Sequence, residues 1–358
     1  MIEILITQLS QTSLLVSIGV MIALNVVIIT NWPRWQRSKS FLKNYQGVQR
    51  AHEGEVSRLG GLVIYIGLWV YWLLCQDGQA IPFVECLLIT SLPLIFISVK
   101  EDLLHNTRAI TRLGCMMASC ILFFLCYDLS FPSIEFPVIG NWLANSSLLS
   151  LLFFSFCVLV VINGSNLIDG ANGLLPMSVL IQALSLMYIT YETNDSINMI
   201  RLVYVIVPVI IFMGFNFPWG KIFLGDTGAY FLGFIMSLLT IIIFSEHPEI
   251  PNWVAVLILF YPAFELLFSI IRKLIEHKSP MEPDQHHLHL KMFHLLKNQV
   301  MKSRVSNSLV MPCLALIWGV PFILLVWVKY SLIMTLLGIV LIIIIYLGFY
   351  WALPRKKD

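Results

Sequence analysis

Five short polar segments interrupt an otherwise apolar chain, and each holds residue types that handle charge. Residues 163–176 read NGSNLIDGANGLLP. Asp-Gly and Asn-Gly pairs make tight turns. Glycine lets backbone amides approach an anion, and the start of the helix that follows favours phosphate. Asp169 is placed to hold a metal or a substrate hydrogen bond; the plainer alternative is a polar turn with a helix cap. Residues 216–229 read NFPWGKIFLGDTGA and set Asp226 in a Gly-Asp-Thr-Gly turn before a long apolar run. A carboxylate there can ligate a hard cation such as Mg²⁺, which takes one or two carboxylates and fills its shell with phosphate oxygens, or it can serve as an N-cap.

Three further segments add to these. Glu101 and Asp102 follow Lys100 at the end of an apolar stretch. Adjacent acids at a membrane boundary are costly unless paired or functional, and on a helix they diverge by about 100°. One can therefore serve a nucleophile while the other pairs with a base, and a solvated interfacial pair is the alternative. Residues 279–289 read SPMEPDQHHLH, where His287 and His289 have a spacing seen in zinc sites but no companion Cys. Phosphate contact or a solvated loop are the other readings. Residues 57–61 read SRLGG; Arg58 suits anion contact, and the Gly pair suits close helix packing. Glu265 stands alone inside an apolar run. A charge buried there costs about 2.5–3.5 kcal/mol, so it needs a partner, and Arg272 is one candidate.

These residues must be positioned by membrane helices. Of 358 residues, 58% are apolar and only 12% charged, with a mean hydropathy of +0.85. Soluble domains carry about 25% charged residues. A net charge of +2 argues against a nucleic-acid partner. The seven cysteines lie mostly in apolar runs without CxxC spacing and read as packing residues. Residues 1–10 carry Glu3 and no basic n-region, so they read as the outer end of a first span rather than a cleaved signal.

The expected fold is all-α and polytopic, a single integral-membrane domain over 1–358 with about eleven spans. They fall near 13–31, 59–74, 83–99, 113–128, 148–162, 174–191, 202–215, 229–245, 253–271, 309–328 and 331–353, the seventh interrupted by Pro208 and the ninth by Pro262. With an outside N-terminus and a cytoplasmic C-terminus, all of the 22 Lys and Arg but Arg201 and Lys329 face the cytoplasm, as the positive-inside rule demands. The loops 32–58, 100–112, 163–173, 216–228 and 272–308 then share that face and carry every motif.

In order and wording the five segments resemble the polyprenyl-phosphate N-acetylhexosamine-1-phosphate transferases of glycosyltransferase family 4. That membrane family includes the muramoyl-pentapeptide translocase and the initiators of O-antigen and teichoic acid. The resemblance spans roughly residues 50–289. Its paired acids fall on Glu101 and Asp102, with Glu101 where the family usually has Asp. Its NxxDGxDG loop falls on Asn166, Asp169, Gly170, Asn172 and Gly173, with Asn172 in place of the second acid. Its FxGDxG motif falls on Phe223, Gly225, Asp226 and Gly228, and its HxH loop on His287 and His289, with Leu290 where a third His is common. Glu53 replaces the usual basic residue before the Gly pair, leaving His52, Arg50 or Arg58 to supply a cation.

The resemblance implies a bacterial inner-membrane enzyme that moves an N-acetylhexosamine-1-phosphate from a UDP-sugar to undecaprenyl phosphate, releasing UMP and initiating an O-antigen-like polysaccharide. The SPxxPDxxHLH wording favours a UDP-N-acetylhexosamine over the muramoyl donor. Mg²⁺, with Mn²⁺ as a substitute, is the implied cofactor, held by Asp226 and Asp169. Asp102 is expected to deprotonate or orient the lipid phosphate, with Glu101, Asp169, His287 and His289 beside it in the catalytic set. Asn166, Asn172, Asn216, Phe223, Arg58 and Arg112 are expected to contact substrate, Phe223 stacking on uracil and Asn216 beside it. A homodimer is also implied. At about 5 Å and an effective dielectric of ~20, each unit-charge repulsion between the anionic reactants is about 3 kcal/mol, which a metal and basic side chains must offset. The rival readings are a multi-span transporter or flippase of a lipid-linked or anionic substrate, whose polar groups would sit at the midplane, a transferase of CDP-activated alcohols, whose DGxxAR pattern this chain lacks, and an inactive relative.

Overall fold

The computed structural model describes residues 11–38, 56–75, 81–280, 285–299 and 303–354. The readings made of residues 1–10, of Arg50, His52 and Glu53, of Glu282 and Asp284, and of the basic tail 355–357 fall outside these residues. Sixteen α-helices and no strand make up the described chain. They are α1 Thr12–Ser38, α2 Gly60–Leu74, α3 Ile81–Thr90, α4 Leu92–Leu104, α5 Ala109–Cys126, α6 Pro137–Ala144, α7 Ser147–Ile168, α8 Leu174–Glu192, α9 Ser196–Asn216, α10 Gly225–Glu246, α11 Trp253–Ile258, α12 Phe260–Ile275, α13 Leu288–Gln299, α14 Ser303–Cys313, α15 Ala315–Val328 and α16 Leu332–Ala352.

The chain is an all-α polytopic membrane protein. Among the described residues eight helical stretches are long and apolar enough to cross a membrane, one of them α14 and α15 taken together, or nine when α3 and α4 are counted as one span bent by 50°. All eleven segments expected from the sequence fall on helices, but four depart from a single long helix, the tenth being divided at Leu314 between α14 and α15. The bend between α3 and α4 comes at Ser91, just before Pro93 in the first turn of α4, where proline lacks the N–H that would continue the ladder. The second segment is the 15-residue α2. The ninth breaks at Leu259 into α11 and α12.

Pro208 does not interrupt the seventh span: α9 runs through it from Ser196 to Asn216. Pro208 is buried, and packed neighbours make proline tolerable within a membrane helix. The helix also begins earlier than expected and so takes in Arg201. That guanidinium is buried against the Phe83 and Tyr127 rings and donates to Asn198 and to the Tyr127 hydroxyl, both at 2.7 Å.

An apolar helix without a polar face must be covered on every side, and α10 is the case in point. All but its last two residues are buried, and it packs against α2, α4, α7, α8 and α9. Helix α7 in turn packs against α12, where Gly164 meets the Pro262 carbonyl closely enough that a Cβ would come within 2.0 Å of it. Every motif-bearing loop leads into or out of one of these central helices. The seven cysteines are free thiols.

Candidate active site

The site forms around the N-terminus of α10. The Ser57–Gly61 and Phe223–Gly228 segments interlock through their backbones. The Phe223 N–H donates to the Ser57 carbonyl at 2.8 Å, and the Gly60 and Gly61 N–H groups donate to the Phe223 and Leu224 carbonyls at 2.9 and 2.8 Å. A Cβ on Gly61 would lie 2.0 Å from the Gly228 nitrogen, so only glycine permits this approach. Gly225 takes φ +75°, and a Cβ there would strike the Arg58 carbonyl at 2.1 Å. The two glycine motifs are thus one structural unit, which brings Arg58 beside Asp226.

Asp102 caps α10 from outside the helix. Its Oδ1 accepts from the Asp226 N–H at 2.8 Å, and its Oδ2 accepts from the Thr227 N–H at 2.9 Å and the Thr227 hydroxyl at 2.7 Å. Arg58 Nε lies 3.5 Å from Oδ1, and the carboxylate is wholly buried. These contacts engage both oxygens in positioning. Glu101 diverges as helix geometry requires: its Oε2 accepts from the Thr107 N–H and hydroxyl, and Arg112 lies 3.8 Å from its Oε1.

Asp226 receives the converging cations. Arg58 Nη2 donates to Oδ1 at 2.8 Å and Asn166 Nδ2 at 3.1 Å, while Arg112 Nη1 and the Tyr230 hydroxyl reach Oδ2 at 3.3 Å. The Arg58 and Arg112 side chains remain 25% and 27% exposed, so both face outward as well as toward Asp226.

Asp169 differs from its neighbours. It is the C-cap residue of α7, and among the described residues no hydrogen bond or ion pair engages its carboxylate. Desolvation pushes it well above the ordinary carboxylate range; Arg58 opposes the shift, and Asp226 and Asp102 add to it. No group of three or more His, Cys, Asp or Glu among the described residues forms a closed metal cage. Asp226 and Asp169 are the carboxylates that could serve an open site, in which Mg²⁺ takes one or two carboxylates and phosphate oxygens.

The His-rich loop closes on the same turn. A Cβ on Gly170 would come within 2.1 Å of His289 Nε2, so that imidazole lies directly on the Asp169-Gly170 turn. The His287 ring runs parallel to it, with centroids 5.9 Å apart. Glu265 does not pair with Arg272, which lies 3.8 Å from Glu276. Its partners are His287, the Leu288 N–H and Tyr346.

Two expected substrate contacts are braces in this structure. Asn216 accepts from the Gly173 N–H at 2.7 Å and donates to the Ile222 carbonyl at 2.9 Å, joining two motif loops. Asn172 donates to the Pro218 carbonyl and Ser308, both at 3.1 Å, and its N–H donates to Asn307 at 2.8 Å. Phe223 is half-buried and engaged through its backbone.

Sequence reasoning passed over Tyr230, one turn after Asp226, although the i, i+4 spacing was readable. It also passed over His105. That residue ends α4 at φ +50°, and burial and Arg58 hold its imidazole below the ordinary range against the opposing pull of Glu101 and Asp226.

The model of glycosyl transferase family 4 matches residues 84–244, a stretch that holds both acid pairs' positions and Asp226. A probable undecaprenyl-phosphate N-acetylglucosaminyl 1-phosphate transferase of Bacillus subtilis strain 168 is 26% identical, covering 67% of this chain and 66% of the relative. An undecaprenyl-phosphate alpha-N-acetylglucosaminyl 1-phosphate transferase of Escherichia coli K12 is 25% identical over 75% and 72% of the two chains. A decaprenyl-phosphate N-acetylglucosaminephosphotransferase of Mycolicibacterium smegmatis is 23% identical over 78% and 75%. With the motif loops gathered at one helix end and the match to residues 84–244 taking in Asp102, Asp169 and Asp226, the chain is similar to glycosyl transferase family 4 and, over two thirds or more of its length, to polyprenyl-phosphate N-acetylglucosamine-1-phosphate transferases.

Proposed function

We propose that this protein transfers an N-acetylhexosamine-1-phosphate from a UDP-sugar to a polyprenyl phosphate at the cytoplasmic face of a bacterial inner membrane. The observation that carries the reading is the convergence of Arg58, Arg112, Asn166, Asp169 and Asp226 at the start of α10. N-acetylglucosamine is the first choice of sugar, because the relatives are named for it. The product is a lipid-linked sugar that starts a surface polysaccharide; the relatives' names lend no support to an O-antigen in particular.

An oxygen of the lipid phosphate attacks the phosphorus that bears the sugar. The bond from that phosphorus to the bridging oxygen breaks, and UMP leaves with that oxygen. Phosphate monoesters have a second pKa near 6, so the lipid phosphate is largely a dianion at neutral pH and needs little help from a base. The work is neutralisation and alignment. Asp102, with both oxygens engaged, acts by fixing the first turn of α10 rather than as the proton acceptor expected of it, and direct attack needs no covalent intermediate on it. Arg58 and Arg112, part exposed, swing from Asp226 to incoming phosphate oxygens. His287 and His289 meet the diphosphate from the other side of the Asp169-Gly170 turn.

Among the described residues four carboxylates (Glu101, Asp102, Asp169, Asp226) face two guanidiniums; with all four ionised the formal excess is two negative charges. A divalent cation matches that excess. Asp226 and Asp169 would hold Mg²⁺, which when bound supplies positive charge to the diphosphate and the departing UMP.

The test is purified protein with undecaprenyl phosphate, Mg²⁺ and UDP-N-acetylglucosamine, reading UMP and the lipid product by mass. A lipid-linked sugar phosphate is expected. Movement of substrate across a vesicle without product would support the transporter instead.

A further inference from the structure

Glu265 is 1% exposed and His287 2%. A carboxylate so buried must collect donors, and Glu265 has three. His287 Nδ1 is 3.1 Å and the Leu288 N–H 3.2 Å from Oε1, and the Tyr346 hydroxyl donates to Oε2 at 2.6 Å. They reach Glu265 of α12 from two places: His287 and Leu288 at the entry to α13, and Tyr346 from α16. The phenol is held edge-on by Phe264 and Phe268, with centroids at 4.9 and 5.6 Å. One turn further, Tyr350 carries the Lys291 ammonium 4.0 Å above its ring and accepts from it through its carbonyl. Helix α13 is therefore clamped to α16 on the side that also holds Glu265.

An ionised carboxylate only accepts, so the imidazole nitrogen that meets it must carry the proton. In imidazole the second nitrogen lies across the ring, and its role follows from the bond the first one makes. We propose that Glu265 and Tyr346 form a positioning pair for the transfer reaction. They hold His287 with its proton on Nδ1 and keep Nε2 directed away from α12, parallel to the His289 ring that lies on the Asp169-Gly170 turn. This rests on the function proposed above, in which the two imidazoles serve the diphosphate. Tyr346, in the last helix and far outside residues 84–244, thereby becomes part of the apparatus. Around metal-ligating histidines, carboxylates that orient the ring in this way matter by about 10- to 100-fold, and the same scale is taken for His287.

The experiment has an activity arm and a spectroscopic arm. In detergent or nanodisc samples labelled with ¹⁵N-histidine, the His287 signal is identified by its loss in His287→Ala. At pH 8.5 the wild-type Nδ1 should carry a proton, whether the ring is neutral or doubly protonated. In Glu265→Leu that proton should leave Nδ1 in at least part of the population. For UMP release, Glu265→Leu should lower kcat about 10- to 100-fold with a smaller change in KM for the UDP-sugar. Glu265→Asp should regain most of the loss. Tyr346→Phe, which keeps the ring packing, should lose less than Glu265→Leu in the same parameter. Glu265→Leu added to His287→Ala should cost nothing further, the mark of residues acting as a unit. A bare Nδ1 in the wild type, or full additivity of the two substitutions, would overturn the pair. Should wild-type protein release no UMP, the proposed function fails, while the nitrogen spectrum still decides the tautomer.

Discussion

Asp226 and Glu246 stand near opposite ends of α10, about 30 Å apart at 1.5 Å per residue, and the acids round them are handled differently. At the Glu246 end the partners come from two segments only, the start of α9 and the end of α10 with the residue just after it. Asp195 caps α9, accepting from the Asn198 N–H at 3.0 Å, and meets His247 Nε2 at 3.0 Å. Asn198 also donates to Glu246 at 2.6 Å, and Arg201 donates back to Asn198. At the Asp226 end the partners arrive from α4, α5, the end of α7 and the Ser57–Gly61 segment, and one acid, Asp169, receives no hydrogen bond or ion pair among the described residues. The far end is closed by its own neighbours, whereas the site end holds a surplus of negative charge that folding alone does not settle. Mutual satisfaction marks structure here, and an unsettled charge marks chemistry.

The sharpest way to break this contrast is to remove one acid at each end. Asp226→Ala should lower UMP release roughly 10³-fold, the scale of a lost charge-stabilising group. Asp195→Ala should leave it within about 2-fold, since surface and capping changes act on stability rather than on chemistry. Equal losses at the two ends would show that both acids serve only the fold.

Asp169→Asn sharpens it further, because activity and stability should part company. UMP release should fall roughly 10²-fold or more. The Asp169 carboxyl is raised by burial, so its stability contribution is intact at low pH and is lost as pH rises through the raised value. The amide lacks that penalty. Without Mg²⁺, the thermal midpoint of Asp169→Asn should therefore decline less than that of the wild type between pH 6 and pH 9. A steeper decline would mean that the carboxylate is already compensated. Next in size is Gly61→Ala. Its methyl would meet backbone at Gly228 and not a yielding side chain, so about 1–3 kcal/mol of stability should be lost, read as a lower thermal midpoint.

Much of the arrangement was legible in the sequence because its signals are local. Turn pairs before apolar runs located the loops round Asp169 and Asp226, and the placement of Lys and Arg grouped the loops before any contact was known. What was not legible depends on contacts between distant segments. That Asp102 would cap a helix 124 residues away, or that Glu265 would choose His287 over the nearer Arg272, follows from how α4 and α12 pack. Pro208 misled for a related reason. Proline's cost is local, but the packing that offsets it comes from the neighbouring helices. The Asn172 and Asn216 side chains read as substrate contacts by motif, and only the fold shows their amides spanning two loops.

The smallest effect lies at the far end and tests whether it is as purely structural as its mutual bonding suggests. Burial alone would raise the Asp195 carboxyl. The Asn198 N–H and side chain, and then His247, outweigh it and hold the carboxyl below its ordinary value. For a depressed acid the sign is fixed: its contribution is present above the unfolded pKa of about 3.9 and is lost as pH falls through the lower folded value. Asp195→Ala should cost about 1 kcal/mol at pH 7, the usual worth of an N-cap, and the gap to the wild type should close as the pH drops below about 4. Thermal midpoints measured across pH 3–7 would show this. A gap that persisted undiminished at pH 3 would assign the loss to packing and not to the charged cap.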